Sequence, residues 1–460
     1  MDLEQLFSKT NVIVEVSTYW LYENSMKNDY KNAHLLIRYL AIENYYHLNN
    51  FGFKYYNLMQ ARRVEQKKII PRYMLNNEDY FRKLIKSFEK HGFKKEFPIV
   101  VNKNLELVDG SHRLALALYH KIPTVPIVIT DISVNLDCRY DLQWFIKEGF
   151  NEMAEIIKIK HYELLKENLR VPNADIEPII IADCCCNHQG KLEQVYKMIN
   201  KLKLDGYSNV IKFQKRDIDY WIEHNPSVYM SAHPNPVQSF GKTYAEHRKA
   251  LELDLDAHQS IKKYCEKNNF IYSCTVFDLK SAQEIISLKP KMIKIASSCN
   301  QYFELLQYVI DNFKGEIHLS LGMTDHIMTE QIVQFFCRNQ RNQDLILYVC
   351  TSGYPVTAQD TFLLEIPLLI KKYGELIKGV GLSGHHQGID LDIAAFVLGA
   401  RYFERHYTLD KKAKGTDHQL SLVAEEFLSL KQALDNVRMA LQFRPPVVEI
   451  EKENERKIKW

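Results

Sequence analysis

The sequence has little that would predict a membrane-spanning segment or a secretory leader. Nowhere do about 20 apolar residues follow one another, which is the length that a bilayer requires. The first five residues, Met1-Asp2-Leu3-Glu4-Gln5, carry acidic groups where a signal peptide needs basic ones. We therefore expect a cytoplasmic protein with no membrane insertion.

Cysteine patterns that hold zinc or form disulfides are also missing. The nine cysteines are odd in number, contain no C-x-x-C pair and mostly lie inside apolar runs. This usage is typical of reduced intracellular thiols. Cys184, Cys185 and Cys186 are consecutive on a predicted strand, where neighbours point to opposite faces, so one ion cannot bind all three. We predict that they pack in the core.

An excess of charge of one sign is absent as well. Lys and Arg number 60 and Asp and Glu number 57, which gives a net charge of +3. A protein that wraps nucleic acid needs a concentrated basic surface, so we expect no nucleic acid partner. A small anionic ligand is compatible with this balance, because one pocket needs only a few cations. The length of 460 residues predicts two or three domains.

The larger part of the chain alternates short β-rich runs with segments of helical period. The eight runs are 178–186, 209–214, 270–277, 291–297, 316–322, 345–352, 377–385 and 401–407. Apolar strands that are each followed by a helix predict a parallel sheet, and eight units favour a (β/α)8 TIM barrel over 178–445. A doubly wound sheet is the alternative. Residues 215–254 are too many for an ordinary connection and predict an active-site loop.

The first 135 residues predict a small α+β domain. Aromatic-rich helical segments precede short strands at 97–101, 105–108 and 125–130, with a helix at 114–120. Residues 136–177 are interpreted as a connector, and 446–460 as a charged tail.

Polar side chains end the predicted barrel strands, which is where barrels carry their chemistry. Lys212 and Lys294 lie between apolar residues, so an inward-facing lysine there needs an anion to offset desolvation. A solvated lysine on the rim is the alternative. His385 and His406 end consecutive strands and are candidate ligands of a divalent metal, although a lone histidine is more often structural. The pattern predicts a small phosphate-bearing substrate together with a metal.

Motifs at every predicted strand give this region a family resemblance. They are IADCCCNHQG at 181–190, VIKFQ at 210–214, SCT at 273–275, KIAS at 294–297, SLGM at 320–323, CTSGYP at 350–355, GLSGH at 381–385 and ERHYTLD at 404–410, with GTDH at 415–418 after the last strand. The barrel resembles the sialic acid (N-acetylneuraminate) synthase family. That family condenses phosphoenolpyruvate with an aldehyde sugar to make nonulosonic acids for surface glycans.

The resemblance implies roles for individual residues and a homodimer. The implied catalytic residues are Asp183, Lys212, Lys294, Tyr354 and Asp417. The implied substrate-binding residues are Gln214, Thr275, Ser297, Ser320, Ser352 and Ser383. His385 and His406 are implied ligands of Mn²⁺ or Mg²⁺, which would polarise the aldehyde.

Three departures from the family pattern concern the acceptor side. The family carries Glu where this chain has Asp183, and an acidic residue where it has Cys299. An antifreeze-like domain follows the barrel in the family and is not found in the sequence up to Trp460. We therefore expect the phosphoenolpyruvate chemistry with a different acceptor sugar.

A second, shorter resemblance lies in the first domain. The stretch LVDGSHRLA at 107–115 is similar to the ParB/sulfiredoxin-like fold. A Gly-Ser turn at a helix N-terminus presents backbone N–H groups to phosphate, and two basic residues follow it. The resemblance implies binding of ATP or CTP, with a kinase as one form of that role. The candidate nucleotide-binding residues are Asp109, Gly110, Ser111, His112 and Arg113. A capped helix after an Asp-Gly turn is the structural alternative.

Two other functions remain open from the sequence. A pyruvate aldolase would use Lys212 or Lys294 as a Schiff-base lysine. A non-catalytic regulator would bind a nucleotide or sugar phosphate with an altered acceptor site, which Asp183 and Cys299 leave open.

Overall fold

The computed structural model describes residues 13–67, 77–131, 140–169 and 176–445, together with 448, 450 and 451. The chain folds into two compact units, Met1–Leu169 and Arg170–Trp460. The predicted tail, 446–460, lies almost wholly outside the described residues.

The first unit contains a four-stranded mixed sheet. Its strands are β1 (Ile13–Ser17), β2 (Ile99–Asn102), β3 (Leu107–Asp109) and β4 (Thr124–Thr130), in the order β1-β4-β2-β3. Strand β4 runs parallel to β2 and antiparallel to β1, whereas β3 pairs antiparallel with β2. The prediction of a small α+β domain agrees with this arrangement, although β1 was not among the predicted strands.

Helices cover this sheet and form a second apolar core of their own. They span Thr18–Tyr30, His34–Tyr45, Gly52–Lys67, Asn77–His91, Ser111–Tyr119, Leu142–Lys147 and Asn151–Leu169. The last two fall within 136–177, which the sequence analysis interpreted as a connector. Phe145 and Ile157 are fully buried in the core of the first unit, so the described part of this stretch belongs to a domain. Burial of its apolar side chains explains the difference.

The second unit is a closed barrel of parallel strands, as predicted. The strands are β5 (Ile179–Asp183), β6 (Val210–Lys215), β7 (Ile271–Val276), β8 (Met292–Ile295), β9 (Glu316–Ser320), β10 (Leu345–Cys350), β11 (Gly379–Gly384) and β12 (Tyr402–His406). The barrel closes between β12 and β5. Each strand lies within or next to one predicted run, which excludes the doubly wound alternative.

Amphipathic helices surround the barrel and bury their apolar faces against it. The helices after the strands include Leu192–Asp205, Leu255–Lys267, Leu279–Ser287, Phe303–Asn312, His326–Arg338, Glu365–Tyr373, Asp390–Val397 and Ala424–Ala440. Among the described residues, no helix is long and apolar enough to cross a membrane.

The alternation of side chains along each strand builds the interior of the barrel. Residues two apart point the same way, so on β6 both Val210 and Lys212 face inward. The lower interior is apolar and includes Val210, Met292 and Ile346. One step further toward the carboxyl ends, the interior carries the ammonium group of Lys212 instead. The sequence therefore places its polar residues at one end of an otherwise apolar barrel.

The long connection after β6 contains helices and makes a contact with the loop after β12. It contains the helices Ile218–His224, Pro226–Tyr229 and Tyr244–Leu251. The last of these begins with a capping box between Thr243 and Glu246. The backbone N–H of Gly415 donates to Gln238 Oε1 at 2.6 Å, which joins this connection to the loop after β12. We call 215–254 the capping loop.

Candidate active site

A cavity of about 590 Å³ lies at the carboxyl end of the barrel. It receives side chains from the ends of the strands, from the capping loop and from the loop after β12. The thirteen barrel residues predicted for the site all line it: Asp183, Lys212, Gln214, Thr275, Lys294, Ser297, Ser320, Ser352, Tyr354, Ser383, His385, His406 and Asp417. The structure thus brings these residues together, and their individual roles stay predictions.

The floor of the cavity is a cluster of four buried charges. Lys212 Nζ donates to Asp183 Oδ2 at 2.7 Å and lies 3.7 Å from Glu404 Oε1. Lys294 Nζ donates to Glu404 Oε2 at 2.8 Å. All four side chains are at most 8% exposed. Each lysine therefore has a carboxylate partner, which is how a buried ammonium group is stabilised when no anion is bound.

Burial and these neighbours together set the protonation of the cluster. Burial alone would raise the pKa of the Glu404 carboxyl, but Lys212 and Lys294 outweigh it and lower that pKa. Burial lowers the pKa of Lys212, but Asp183 and Glu404 raise it overall. Burial lowers the pKa of Lys294, and the attraction of Glu404 only partly offsets this effect. Lys294 is therefore the lysine that loses its proton more readily.

Hydroxyl groups surround the lysines. Thr275 Oγ1 accepts from Lys212 Nζ at 2.7 Å, and Ser383 Oγ donates to Glu404 Oε1 at 3.0 Å. Above them, a Cβ added to Gly322 would meet the hydroxyl oxygens of Ser297 and Ser352, each at 2.5 Å. The glycine leaves the space between these two hydroxyls open, so they converge on a small volume suited to an oxyanion.

The two predicted metal ligands lie side by side at the cavity wall. The rings of His385 and His406 are 5.1 Å apart between centroids. His385 Nδ1 bonds to the carbonyl oxygen of Thr351 at 2.9 Å, which directs its other nitrogen elsewhere, as in many metal-bound histidines. Burial, followed by the proximity of His406, lowers the pKa of His385 to about 3. A neutral imidazole is the form that binds a metal.

A divalent ion fits the residues next to His406. Its buried Nδ1 has no hydrogen-bond partner among the described residues and lies 3.8 Å from Asp417 Oδ2. Ligand atoms of Cys185, His406 and Asp417 all lie within 4.8 Å of one another. An imidazole nitrogen and a carboxylate oxygen that face each other without a hydrogen bond leave room for an ion between them. These residues agree with the predicted divalent metal, whose identity stays a prediction.

Cys185 corrects one expectation. The three consecutive cysteines, Cys184, Cys185 and Cys186, were expected on a strand and in the core. Strand β5 ends at Asp183, and the chain then turns, with Cys185 at φ 37°. Cys184 is buried in the apolar core as expected, but the Cys185 thiol faces the candidate metal site and Cys186 Sγ lies 3.9 Å from Gln214 Oε1.

Several residues of the cavity were not among the predicted site residues. Glu404 is the first residue of the ERHYTLD motif and was given no role, although its inward position follows from the same alternation as that of His406. Arg216, His233 and Arg248 come from the capping loop. Their sequence carries no motif that places them, and the only signal was the length of the loop.

The first unit contains a separate cavity of about 380 Å³, lined in part by Asp109, Gly110, His112 and Arg113. Gly110 has φ 99°, which allows the chain to turn into the helix Ser111–Tyr119. Arg113 donates to the carbonyl oxygens of Phe97 and Pro98 and pairs with Asp109 at 3.1 Å. The predicted positive charge is thus partly used within the fold.

His112 is the second basic residue of that motif. Its Nε2 bonds to the Tyr56 hydroxyl at 2.8 Å, and burial, reinforced by Arg38, lowers its pKa well below the usual value. Arg38 itself is buried, with an Nε that has no hydrogen-bond partner among the described residues. Positive charge near the motif therefore also comes from Arg38 on the helix His34–Tyr45, which had not been predicted to contribute to this site.

Comparisons with known proteins match the barrel. The model of the NeuB family matches residues 198–444, more than half of the chain. The N-acetylneuraminate-9-phosphate synthase of Drosophila melanogaster is 34% identical over 60% of this chain and 72% of its own. The N,N'-diacetyllegionaminic acid synthase of Campylobacter jejuni is 30% identical over 57% of this chain and 77% of its own.

A solved structure gives the same result. The N-acetylneuraminic acid (sialic acid) synthetase of Leptospira borgpetersenii matches with a TM-score of 0.53 and 25% identity. The match covers 62% of this chain and 93% of that one. Because these relatives are acid synthases, the prediction of an enzyme of the synthase type is confirmed, and the chain belongs to the NeuB family.

Proposed function

We propose that the barrel condenses phosphoenolpyruvate with an aldehyde sugar to give a 3-deoxy-2-keto sugar acid of the nonulosonic type. The observation that carries this proposal is the cavity floor, where two buried lysines and converging hydroxyls lie beside a candidate metal site. Such a floor suits a small substrate with a phosphate and a carboxylate. Relatives named for nonulosonic acid synthesis support the product class.

The reaction forms a carbon–carbon bond and replaces the phosphate at C2 with water. C3 of the enol attacks the aldehyde carbon, and the resulting alkoxide takes a proton. Water adds to C2, and phosphate leaves with cleavage of the C2–O bond. The products are the keto acid and inorganic phosphate, so atoms balance without an oxidant or a further cosubstrate.

The residues of the cavity floor stabilise the charges that develop in these steps. Lys212 and Lys294 hold the anionic groups of phosphoenolpyruvate, with Thr275 and Ser383 completing the hydrogen bonds. When phosphoenolpyruvate binds, its anionic groups replace the carboxylates as partners of the two lysines, so Glu404 gives up its ion pair with Lys294. Asp183, at the first strand, orients the water that attacks C2.

Binding of the acceptor involves the opposite wall. Tyr354 lies with its ring 4.3 Å from that of His385, between centroids. His385, His406 and Asp417 would hold a divalent ion, whose chemistry is to polarise the acceptor carbonyl. Gln214 also lines the cavity, and its amide would bind the sugar hydroxyls.

The test is release of inorganic phosphate from phosphoenolpyruvate with Mn²⁺ across a panel of aldehyde sugars and their phosphates. We expect release that depends on one sugar and is lost in Lys294→Ala and His385→Ala. The control is Lys249→Gln, an exposed lysine of the capping loop that pairs with Asp219 outside the cavity. Tight phosphoenolpyruvate binding without release for any sugar would contradict synthesis and favour the regulator.

The lowered pKa of Lys294 favours a second candidate, a pyruvate aldolase, because a Schiff base needs a neutral amine. Its ion pair with Glu404 opposes that role. Borohydride reduction in the presence of pyruvate distinguishes the two: a covalent adduct on Lys294 supports the aldolase, and an unmodified chain supports the synthase.

We propose further that the first unit has a ParB/sulfiredoxin-like fold and binds ATP or CTP. The turn at Gly110 and the cavity beside it support this proposal. Calorimetry of the full chain with each nucleotide is the test, with Ser111→Glu as the variant, because an added carboxylate at a helix N-terminus repels phosphate. Equal affinity in this variant and the unchanged chain would refute the site. A kinase reaction requires turnover of the bound nucleotide as well.

The functional division of the chain is part of the same proposal. We assign the nucleotide role to the first unit, Met1–Leu169, and the synthase to 178–445. A homodimer and a cytoplasmic location remain predictions from the sequence.

A further inference from the structure

We propose that Arg38 and Arg63 of the first unit bind a doubly charged oxyanion of the phosphate type. The two residues lie on the helices His34–Tyr45 and Gly52–Lys67, which we call the arginine helices. The site lies outside the candidate nucleotide-binding residues 109–113 and is independent of the reaction proposed for the barrel. No motif in the sequence gives these two arginines a role.

Arg38 is a buried cation with an unmade hydrogen bond. The residue is 2% exposed, and its Nη1 donates to the carbonyl oxygen of His34 at 3.0 Å. Its Nε has no hydrogen-bond partner among the described residues. Burial of a guanidinium is costly unless an anion offsets its charge. Both the charge and the free donor of Arg38 therefore suit an oxyanion.

Arg63 adds a second cation to the same cluster. Its guanidinium carbon lies 4.1 Å from the centroid of the Tyr140 ring, and this contact restricts the orientation of the group. Nη1 donates to Gln60 Oε1 at 2.8 Å, whereas the buried Nε has no partner in the part of the chain that the structure describes. The residue as a whole is only partly buried, so a ligand can approach the cluster from its side.

The surrounding groups do not compensate the positive charge of Arg38. Within the described ranges, neither guanidinium has a carboxylate at ion-pair distance. Burial, followed by the proximity of Arg63, lowers the pKa of Arg38 to about 9. Three groups act in the opposite direction without outweighing these effects: Tyr56, Tyr140 and Asp109. Asp109 is mostly exposed and forms its ion pair with Arg113.

His34 is subject to the same excess of positive charge. Burial, followed by Arg38 and Arg63, lowers the pKa of its imidazole well below the usual value. Its ring is therefore neutral, and the two guanidinium groups carry the charge of the cluster. A dianion can neutralise both of them, whereas a monoanion such as chloride leaves one uncompensated. Phosphate, a phosphate ester and sulfate have the required charge and several acceptor oxygens.

A chain of hydrogen bonds connects this cluster with the motif helix. Gln60, which accepts from Arg63, donates to the Tyr56 hydroxyl at 3.0 Å, and that hydroxyl bonds to His112 Nε2 at 2.8 Å. His112 lines the cavity beside the motif, but neither arginine is among the described residues that line it. The oxyanion site is therefore separate from the helix N-terminus at Ser111. Its phosphate can come from a small phosphate ester or inorganic phosphate, or from a nucleotide that extends from the motif.

Hydrogen exchange of the full chain in the presence of inorganic phosphate tests the site, because it follows the first unit and the barrel separately. At a phosphate concentration of about 100 times the dissociation constant, we expect peptides from the arginine helices to exchange about 100-fold more slowly. Sulfate should protect them as well, and chloride at the same ionic strength should not. Peptides that contain β6 and β8 detect any binding of phosphate in the barrel.

Arg38→Met distinguishes a ligand-binding arginine from a structural one. Methionine retains much of the length of the side chain and removes its charge. Without phosphate, the arginine helices of this variant should exchange roughly tenfold more slowly than those of the unchanged chain, because a buried and uncompensated cation has been removed. Phosphate should then give no further protection. Faster exchange in the variant would overturn the inference, because it would mean that the chain itself supplies Arg38 with a stabilising partner.

Arg63→Gln provides a second test at a partly exposed position, and Arg62→Gln is its matched control. Arg62 precedes it on the same helix, and pairs with Glu65 at 2.8 Å and with Glu148 at 2.6 Å. We expect Arg63→Gln to raise the phosphate concentration needed for protection by about tenfold or more, because one charge-assisted contact is lost. Arg62→Gln should match the unchanged chain. The same phosphate dependence in both variants would refute the site.

Parallel experiments with ATP and CTP identify the source of the phosphate. If a saturating nucleotide protects the arginine helices in the unchanged chain but not in Arg63→Gln, the site holds a phosphate of that nucleotide. If inorganic phosphate protects these helices and neither nucleotide does, the ligand is a separate phosphate or its ester, and the site stands even where the nucleotide proposal fails. If phosphate, sulfate and both nucleotides leave the exchange of the arginine helices unchanged, the site is refuted whether or not a nucleotide binds at the motif.

Discussion

Replacing Glu404 with Gln tests whether the cavity floor is an electrostatic cluster. The carboxylate lies 2.8 Å from Lys294 Nζ and 3.7 Å from Lys212 Nζ, and its side chain is 8% exposed. Glutamine preserves the shape and one acceptor oxygen but removes the negative charge. The variant then buries two ammonium groups with Asp183 as the remaining carboxylate of the cluster.

Loss of the proton from Lys294 limits the cost of this substitution. In the variant, Lys294 can lose its proton and become neutral. The free energy of this deprotonation is about 1.4 kcal/mol for each unit by which the pH lies below the unfolded pKa of the lysine. With an unfolded pKa of about 10.4, the limit is about 4 kcal/mol at pH 7.5 and about 2 kcal/mol at pH 9. Breaking a buried pair typically costs about 3–5 kcal/mol, so we expect about 3 kcal/mol at pH 7.5.

The sign of the pH dependence follows from the same reasoning. Because the folded-state pKa of Lys294 in the variant lies below the unfolded value, the lost stability returns as the pH rises toward 10.4. Destabilisation relative to the unchanged chain should therefore shrink between pH 7.5 and 9. Phosphoenolpyruvate should stabilise the variant more than the unchanged chain, because the anion no longer competes with Glu404.

Hydrogen exchange in increasing urea, followed in peptides that contain β8 and β12, measures the stability of the barrel itself. Ser383→Ala is the matched control, since it removes one hydrogen bond to Glu404 and no charge. We expect it to cost about 1 kcal/mol at both pH values. A Glu404→Gln penalty that is equally independent of pH would refute the electrostatic account, because it would indicate lost packing.

Three further predictions concern the floor, the metal site and the barrel wall. Gly322→Ala should raise the KM of phosphoenolpyruvate at least tenfold, because the new methyl group displaces the Ser297 and Ser352 hydroxyls; an unchanged KM would contradict their role. Chelation by EDTA should abolish phosphate release, and Mn²⁺ or Mg²⁺ should restore it; full activity after chelation would contradict a metal requirement. Burial lowers the pKa of His258 in the folded chain to about 3. Below pH 6.5 the unfolded chain therefore binds a proton at His258 that the folded chain does not, and the free energy of unfolding decreases as the pH falls. Between pH 7 and 5 the unchanged chain should lose about 2 kcal/mol more than His258→Gln in urea unfolding, and equal losses would contradict this assignment.

The barrel could be predicted because its physical signal is local. Each strand is apolar and short, each helix is amphipathic, and their alternation repeats eight times. The same regularity placed the strand-end residues, because inward side chains at the carboxyl ends of parallel strands must meet. Lys212 and His406 are far apart in sequence, yet their positions at the ends of β6 and β12 bring them to one cavity.

Features that depend on tertiary contacts were not predictable in this way. The helices Leu142–Lys147 and Asn151–Leu169 have polar and aromatic residues mixed, and only packing reveals that they belong to the first unit. The turn at Cys185 depends on where β5 ends, which strand propensity does not fix to within three residues. Arg248 enters the cavity because the capping loop folds back over the barrel, and no local pattern determines that path.

The distribution of charge differs between the floor of the cavity and the capping loop. At the floor, Lys212 and Lys294 are paired with carboxylates, so phosphoenolpyruvate must take the place of Glu404 as their anionic partner. In the capping loop, Arg248 has no carboxylate within ion-pair distance among the described residues. Burial lowers the pKa of Arg248, but Cys186, Tyr244, Glu252 and Asp417 raise it overall, so its charge is stabilised without a direct ion pair. Competition with an internal carboxylate is therefore a feature of the floor, which is why Glu404→Gln is the variant that tests it.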